Sequence, residues 1–297
     1  MLFKNKISGA IPDSGLLLAF KEVLERGFRE DLGFGDITGN AVLPGHSMAG
    51  EFSARASGVL AGADAIRTGY QLLDSSTEVQ QLKQDGENVQ PGDVIAEVKG
   101  PVRTLLSGER LILNIVQHLS GIATATSKAV RALEGSSTRI CDTRKTIPGI
   151  RALQKYAVRC GGGYNHRLRL DDGVMIKDNH IIAAGGIREA IGIARKRIGL
   201  MVRIEVECET GDQVRDAIEA GADIIMLDNK TPEEAGKLCS AIPPHIIVEL
   251  SGGITPETAG RYRDCGAHYL SLGAVTHSVR ALDISFNLRE GVKHSGK

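Results

Sequence analysis

The sequence has no surplus of charge of either sign: its 297 residues carry 36 Lys and Arg against 36 Asp and Glu. That balance removes the bulk signature of nucleic-acid or anionic-membrane binding, so any anion site must be a local cluster. Apolar runs are equally scarce, and no stretch reaches the roughly 18 residues that a membrane-crossing helix needs. The opening MLFKNKISGAIPDSG lacks the apolar segment of a secretory signal. Cysteine is sparse. The five, at 141, 160, 208, 239 and 265, are odd in number and show no CxxC spacing, which argues against a disulfide framework and a structural zinc site. Internal repeats and low-complexity tracts are missing as well. These absences lead to the expectation of a cytoplasmic protein with reduced thiols and with neither nucleic acid nor membrane as partner.

What is present is ordinary for a globular protein: 42% hydrophobic and 24% charged residues. The length suits one large or two medium domains with a sizeable core. In 14–28, Leu17, Phe20, Val23, Leu24 and Phe28 recur at helical spacing. The segment 30–38, with two glycines and Asp36, reads as a turn. Strand-like runs at 50–56 and 59–61 precede a helical run at 63–73. The text from Asp85 to Ala96 fits two short strands joined by a Pro-Gly turn. The first hundred residues or so therefore predict a mixed α/β unit.

After Leu105 the rhythm changes. An apolar-striped helix is predicted over 109–133, and strand-like runs follow at 139–143, 174–178, 203–208, 224–228, 246–250 and 269–272. Helical text separates most of them, at 187–197, 211–219, 232–241 and 256–265. Such alternation predicts parallel strands with covering helices. About 160 residues is short for an eight-fold barrel, which takes about 250. A reduced or irregular α/β barrel is therefore expected, with a doubly wound open sheet as the alternative.

In parallel α/β barrels chemistry collects at the C-terminal ends of the strands, and the unusual residues lie there. One strand runs into Thr143, Arg144 and Lys145; the next ends in Lys177-Asp178-Asn179-His180. Arg203, Glu205 and Glu207 alternate with apolar residues and so share one face. Others end in Asp228-Asn229, Ser251-Gly252-Gly253 and Gly273 to Ser278. Any one such residue is ordinarily a solvated boundary, but six strand ends in a row are hard to dismiss. Arg144, Lys145, His166, Arg167 and Lys177 form a cationic set suited to carboxylates and phosphates. Glu207 and Asp228 at the same mouth suggest a divalent cation, most simply Mg²⁺ held partly by substrate oxygens. The glycine loops after the last two strands, with a helix starting at Pro256, suit a phosphomonoester. Gly161-Gly162-Gly163 before Tyr164-Asn165-His166-Arg167 gives the backbone freedom to bring His166 and Arg167 close to a ligand.

Several ordered segments carry a resemblance. They are 142–151, Lys155-Tyr156-Ala157-Val158, Asn165-His166-Arg167, 176–180, Glu205-Val206-Glu207, 226–229, Glu249 with 251–254, and 273–278. With 30–38 and 120–124 they resemble the signature of quinolinate phosphoribosyltransferases across roughly 15–288. The resemblance implies an N-terminal α/β sandwich beside an incomplete, seven-stranded α/β barrel, the seventh strand falling between Thr143 and Val174. It implies domains at 1–108 and 109–279, with the 280–297 tail packed on the first. It also implies a homodimer in which Arg103 of the sandwich, otherwise a surface arginine, reaches the partner's barrel mouth.

Roles follow from the same resemblance. Arg103, Thr143, Arg144, His166 and Arg167 would hold the two carboxylates, and Lys145 and Lys177 the phosphoribosyl donor and departing pyrophosphate. Glu207 and Asp228 would hold ribose hydroxyls and Mg²⁺. Ser251, Gly252, Gly253, Gly273 and His277 would bind the 5′-phosphate. No organic cofactor is needed. Three rivals stand beside it: a Schiff-base aldolase using Lys145 or Lys177, a related nicotinate or molybdate-associated homologue, and a non-catalytic sugar-phosphate binder.

Overall fold

The computed structural model describes residues 13–289; the readings made on the first residues and on the end of the 280–297 tail therefore lie partly outside the described residues. The elements run α1 (Asp13–Leu32), α2 (Ile37–Val42), β1 (Ser47–Ala54), β2 (Gly58–Val59), α3 (Asp64–Leu73), β3 (Glu78–Gln81), β4 (Asn88–Val89), β5 (Val94–Pro101) and α4 (Val102–Ala132). Then come β6 (Arg139–Cys141), α5 (Arg151–Cys160), β7 (Val174–Ile176), α6 (Asp178–Ala184), α7 (Ile187–Arg195), β8 (Ile204–Cys208) and α8 (Gly211–Glu219). The chain closes with β9 (Ile224–Asp228), α9 (Pro232–Ala241), β10 (Ile247–Ser251), β11 (Tyr269–Ser271), α10 (Ala274–His277) and β12 (Ile284–Leu288).

By internal contact these form two units, 13–125 with 147–162 and 279–289, and 126–146 with 163–278. The first holds an antiparallel sheet of order β12-β1-β5-β3 and a small β2-β4 ribbon. Its core packs the apolar stripe of α1 (Phe20, Leu24) and of α4 (Leu105, Ile112, Leu119) with Phe52 and Tyr70, all buried. Phe52 meets Phe286 of β12 at 4.9 Å between ring centroids. Gly121 is required where the tail crosses α4: a Cβ there would lie 2.4 Å from the Arg280 carbonyl oxygen. Asp85 ties the loops together, accepting from the Gly62 and Ala63 amides and from the Tyr156 hydroxyl of α5.

The second unit is a parallel sheet of order β6-β11-β10-β9-β8-β7. All six strands predicted there form, four of them shorter by one or two residues and β10 shifted by one. Their crossover helices start where the sequence provides caps. Thr210 with Gln213 opens α8 and Thr231 with Glu234 opens α9, each a reciprocal capping box, with Pro232 in the first turn of α9.

Five details differ from the expectations. The sheet has six strands among the described residues, not seven. The seventh position, between Thr143 and Val174, is reduced to one parallel bridge, Tyr164 to Cys141, with hydrogen bonds of 2.8 and 3.0 Å to the Ile140 carbonyl and the Asp142 amide. Both edges of the sheet therefore stay unclosed by a full strand, and the barrel is incomplete. No α-helix begins at Pro256; the segment makes only a 3-10 turn, Ala259–Tyr262. The Thr258 hydroxyl accepts from the Thr255 amide and Gly260 follows, both competing with a helical ladder. Helix α1 persists to Leu32, so the turn predicted over 30–38 is confined to 33–36, where Asp36 caps α2 through the Gly39 amide. The long helix begins at Val102 rather than 109. Helix α5 was not predicted as a helix.

Candidate active site

The C-terminal ends of the strands surround a cavity of about 410 Å³ in the second unit. Nine predicted residues line it: Thr143, Arg144, Lys145, His166, Arg167, Lys177, Glu207, Asp228 and Ser251. Met175, Met226 and Glu249 line it too, and none of these had been assigned a role from the sequence. Strand alternation explains the set. Inward positions two apart on β8, β9 and β10 bring Glu205 and Glu207, Met226 and Asp228, and Glu249 and Ser251 to the interior.

The cations are held by defined partners. The Lys145 amide donates to the Thr143 hydroxyl at 3.0 Å, and the Thr276 hydroxyl donates to the Lys145 carbonyl at 2.8 Å, fixing that turn. The Lys177 ammonium pairs with the Glu207 carboxylate. Arg167 donates to the Gly173 carbonyl at 3.0 Å and lies over the Met175 sulfur. Burial, then the nearby Arg144 charge, lowers its pKa from the ordinary guanidinium value. The Arg144 Nε is buried with no hydrogen-bond partner. An unused guanidinium donor beside a second arginine is the arrangement that a ligand carboxylate would complete.

His166 is placed by buried acids. Its backbone amide and the Asn165 side chain donate to the two oxygens of fully buried Asp142, at 2.9 and 2.6 Å. Its Nε2 lies 3.0 Å from Glu205 and 3.4 Å from Glu249. Its Nδ1 accepts the Arg167 amide at 2.8 Å. Burial opposes charge on the ring, but its hydrogen bonds to Glu205 and Glu249 raise its pKa to about 10. Burial also raises that of Glu205. Because Nδ1 accepts the Arg167 amide, a ring proton sits on Nε2, facing the two carboxylates. His166, Glu205 and Glu249 have ligand atoms within 4.8 Å of one another, as a metal site would. An Nε2 that carries a proton has no lone pair for a metal, so the geometry does not favour one there.

The remaining predicted residues do not line the cavity. Gly273 abuts Lys145 and His277; a Cβ on it would stand 3.0 Å from the Lys145 Cδ and 3.1 Å from the His277 ring. His277 Nδ1 is 2.6 Å from the Ser278 hydroxyl. Gly252 and Gly253 adopt φ of +89° and +64°. A Cβ at Gly252 would fall 2.2 Å from the Asn229 side-chain oxygen. Asn229, itself at φ 52°, donates its amide to the Ser251 carbonyl at 3.0 Å and its side chain to Asp228. Arg103 belongs to the first unit, where its Nε and Nη2 donate to the Leu43 carbonyl at 3.1 and 2.8 Å.

Comparison with known proteins is decisive. The chain matches the family models described as quinolinate phosphoribosyl transferase, N-terminal domain, over residues 36–120 and C-terminal domain over 122–287. The chain belongs to the quinolinate phosphoribosyltransferase family. It is 50% identical to a "Probable nicotinate-nucleotide pyrophosphorylase", carboxylating, of Bacillus subtilis over 91% of this chain and 94% of that protein. It is 40% identical to the carboxylating nicotinate-nucleotide pyrophosphorylase of Mycobacterium leprae over 91% of this chain and 97% of that one. Among solved structures, NadC from Streptococcus pyogenes matches with a TM-score of 0.89 and 37% identity, over 95% of this chain and 100% of that one. The Francisella tularensis nicotinate-nucleotide pyrophosphorylase gives 0.88 and 35%, over 94% and 98%. Sandwich and incomplete barrel are thus the family's architecture, as the sequence resemblance implied. No helix among the described residues is long and apolar enough to cross a membrane.

Proposed function

We infer that the protein transfers a phosphoribosyl group to quinolinate, forming nicotinate mononucleotide, pyrophosphate and CO2, in NAD biosynthesis. The observation that carries this is the cavity itself, where four cations, Arg144, Lys145, Arg167 and Lys177, face two carboxylates, Glu207 and Asp228. A dicarboxylate and a pyrophosphate-bearing sugar need such cations, and the developing charge on the sugar needs the carboxylates.

The reaction breaks the C1–O bond to pyrophosphate and forms a C1–N bond to the pyridine. Arg144 and Arg167 hold the carboxylates and so orient the nitrogen toward C1, Arg144 with an Nε not otherwise engaged. Lys145 and Lys177 receive the charge of the leaving pyrophosphate. The pyridinium then accepts the electron pair of the C2–carboxylate bond as CO2 leaves, and C2 takes a proton from solvent. An organic cofactor is not needed for that step.

Glu207 and Asp228 are all-oxygen donors on adjacent strands, which fits a hard cation such as Mg²⁺. Two carboxylates, one of them paired with Lys177, are too few for a protein-only cage, so the ion would be shared with substrate oxygens. When bound it supplies charge neutralisation of the pyrophosphate. Ser251, Gly252, Gly253, Gly273 and His277 form the proposed 5′-phosphate site; with no helix at Pro256, its donors are the loop amides and the residues around Gly273. His166 would act on the substrate through position, since both ring nitrogens already have partners. The proposed assembly is a homodimer, the sandwich domain at 1–108 with the 280–297 tail supplying Arg103 to the barrel at 109–279 of the other copy. A cytoplasmic location fits five cysteines that are all free thiols.

The test is to incubate the protein with Mg²⁺, phosphoribosyl pyrophosphate and either quinolinate or nicotinate, and to quantify mononucleotide and CO2. Equal amounts of both from quinolinate alone are expected. Product from nicotinate, or none from either, would overturn the reading.

A further inference from the structure

The inward side chains of the six-stranded sheet stack in layers, as barrel interiors do. Glu207, Asp228 and Ser251 at the strand ends face the cavity already described. One step down the strands lie Glu205 and Glu249, with His166 between their carboxylates. Below them Arg203, Ile224, Ile247 and Tyr269, at the strands' opposite ends, line a second cavity of about 390 Å³. His166, Arg167 and Glu249 line both cavities and Glu205 lines the lower one, so this layer lies between the two.

This layer is an unusual choice for a core. Both glutamates are buried, each with side-chain exposure of 5%. Each directs one oxygen to the same imidazole N–H, and each leaves Oε1 buried with no hydrogen-bond partner. Apolar side chains of the same volume would pack there without desolvating carboxylates. Buried polar groups left partly unsatisfied call for a role outside stability. Their connections supply one. The two acids hold the His166 ring from Nε2, and the ring receives the Arg167 amide at Nδ1. Asp142 holds the same turn from the other side, through the His166 amide and the Asn165 side chain. The Arg167 backbone is thus fixed from beneath by two carboxylates that act through the imidazole. Its side chain lines the upper cavity with Arg144 and Lys177, the guanidinium held by the Gly173 carbonyl.

We propose that Glu205 and Glu249 are positioning residues which, through the His166 ring, fix the turn that aims Arg167 at the dicarboxylate substrate. The proposal rests on the phosphoribosyltransferase reading above. It assigns the acids to one substrate: the phosphoribosyl donor is held by other residues and does not depend on this turn.

The test uses the full chain and two independent readouts. Glu205→Gln and Glu249→Gln keep shape and remove the carboxylate. Each is expected to raise the KM for quinolinate by roughly 10-fold while the KM for phosphoribosyl pyrophosphate stays within about twofold. In a His166→Asn background the same substitutions are expected to add less than about twofold, because residues acting as one unit are non-additive. The second readout needs no variant to fold: ¹⁵N-histidine NMR of the wild-type protein at neutral pH should show the His166 Nε2 protonated, as its contacts with the two acids require. An Nε2 that carries no proton would overturn the proposal. So would equal KM changes for both substrates, unchanged KM values, or effects that add to that of His166→Asn. A wild-type protein that makes no product from quinolinate refutes the functional reading and the positioning role with it. An active wild type with unshifted variants refutes the positioning role alone.

Discussion

Removing the Lys177 ammonium should separate turnover from stability. The lysine side chain is 43% exposed and its partner Glu207 15%. A pair so open to water contributes at most about 1 kcal/mol to folding. For a chain of this size that corresponds to a fall in Tm of roughly 2–4 °C. Its effect on the reaction is larger, because the ammonium lies where pyrophosphate charge develops and because its loss leaves Glu207 unpaired, facing the leaving group. Deleting one such electrostatic stabiliser lowers turnover by on the order of 10²–10³, or about 2.7–4 kcal/mol of transition-state stabilisation. Lys177→Ala is therefore expected to keep a nearly normal thermal midpoint and lose most of kcat. Initial rates of mononucleotide formation at saturating substrates, on the preparation used for the thermal scan, decide it. Turnover within about threefold of wild type would remove Lys177 from the machinery.

Gly252→Ala should damage both folding and phosphate binding, since its φ is +89° and the new Cβ would meet the Asn229 oxygen at 2.2 Å. The left-handed backbone alone costs roughly 1–2 kcal/mol, so a clear drop in Tm together with a raised KM for phosphoribosyl pyrophosphate is expected, and a normal value of either argues against the loop's role. If Arg103 serves the other copy, Arg103→Ala and Lys177→Ala proteins should each be nearly inactive alone yet recover about a quarter of wild-type activity when mixed and allowed to exchange subunits; no recovery, with exchange demonstrated, places Arg103 elsewhere. For pH, the His166 pKa is raised from 6.5 to about 10 by Glu205 and Glu249 against burial. A raised folded-state value gives stability that is complete below pH 6.5 and lost as pH climbs through about 10. The wild-type Tm should therefore fall between pH 7 and 9.5 more steeply than that of His166→Asn, and parallel slopes would show that the ring and its acids do not hold the proton.

Much of the barrel was legible because its signals are local. The run Ile224 to Asp228 between Gly221 and Asn229, and the Thr210 and Thr231 caps, each depend on neighbours a few residues away. Alternation along one strand was enough to place Arg203, Glu205 and Glu207 on a shared face, and the structure puts all three inside the sheet. The helix expected at Pro256 failed because a threonine hydroxyl and a glycine outweighed the apolar spacing. Helix α5 was not legible, although Leu153, Ala157 and Val158 are buried at helical spacing, because Gln154 and Lys155 are buried with them and interrupt the apolar pattern.

The sequence by itself determined the alternation of strands and helices, the ordered motif that marks the family, and which residue types stand at the strand ends. Only the tertiary structure decided that residues 147–162 and the 279–289 strand pack with the first unit, that the seventh strand shrinks to one bridge at Tyr164, and that Glu205 and Glu249 converge on His166. The reason is physical. Caps, turns and strand alternation are set by interactions within a few residues, whereas two carboxylates on strands separated by β9 meet one imidazole only after the sheet has assembled and curved.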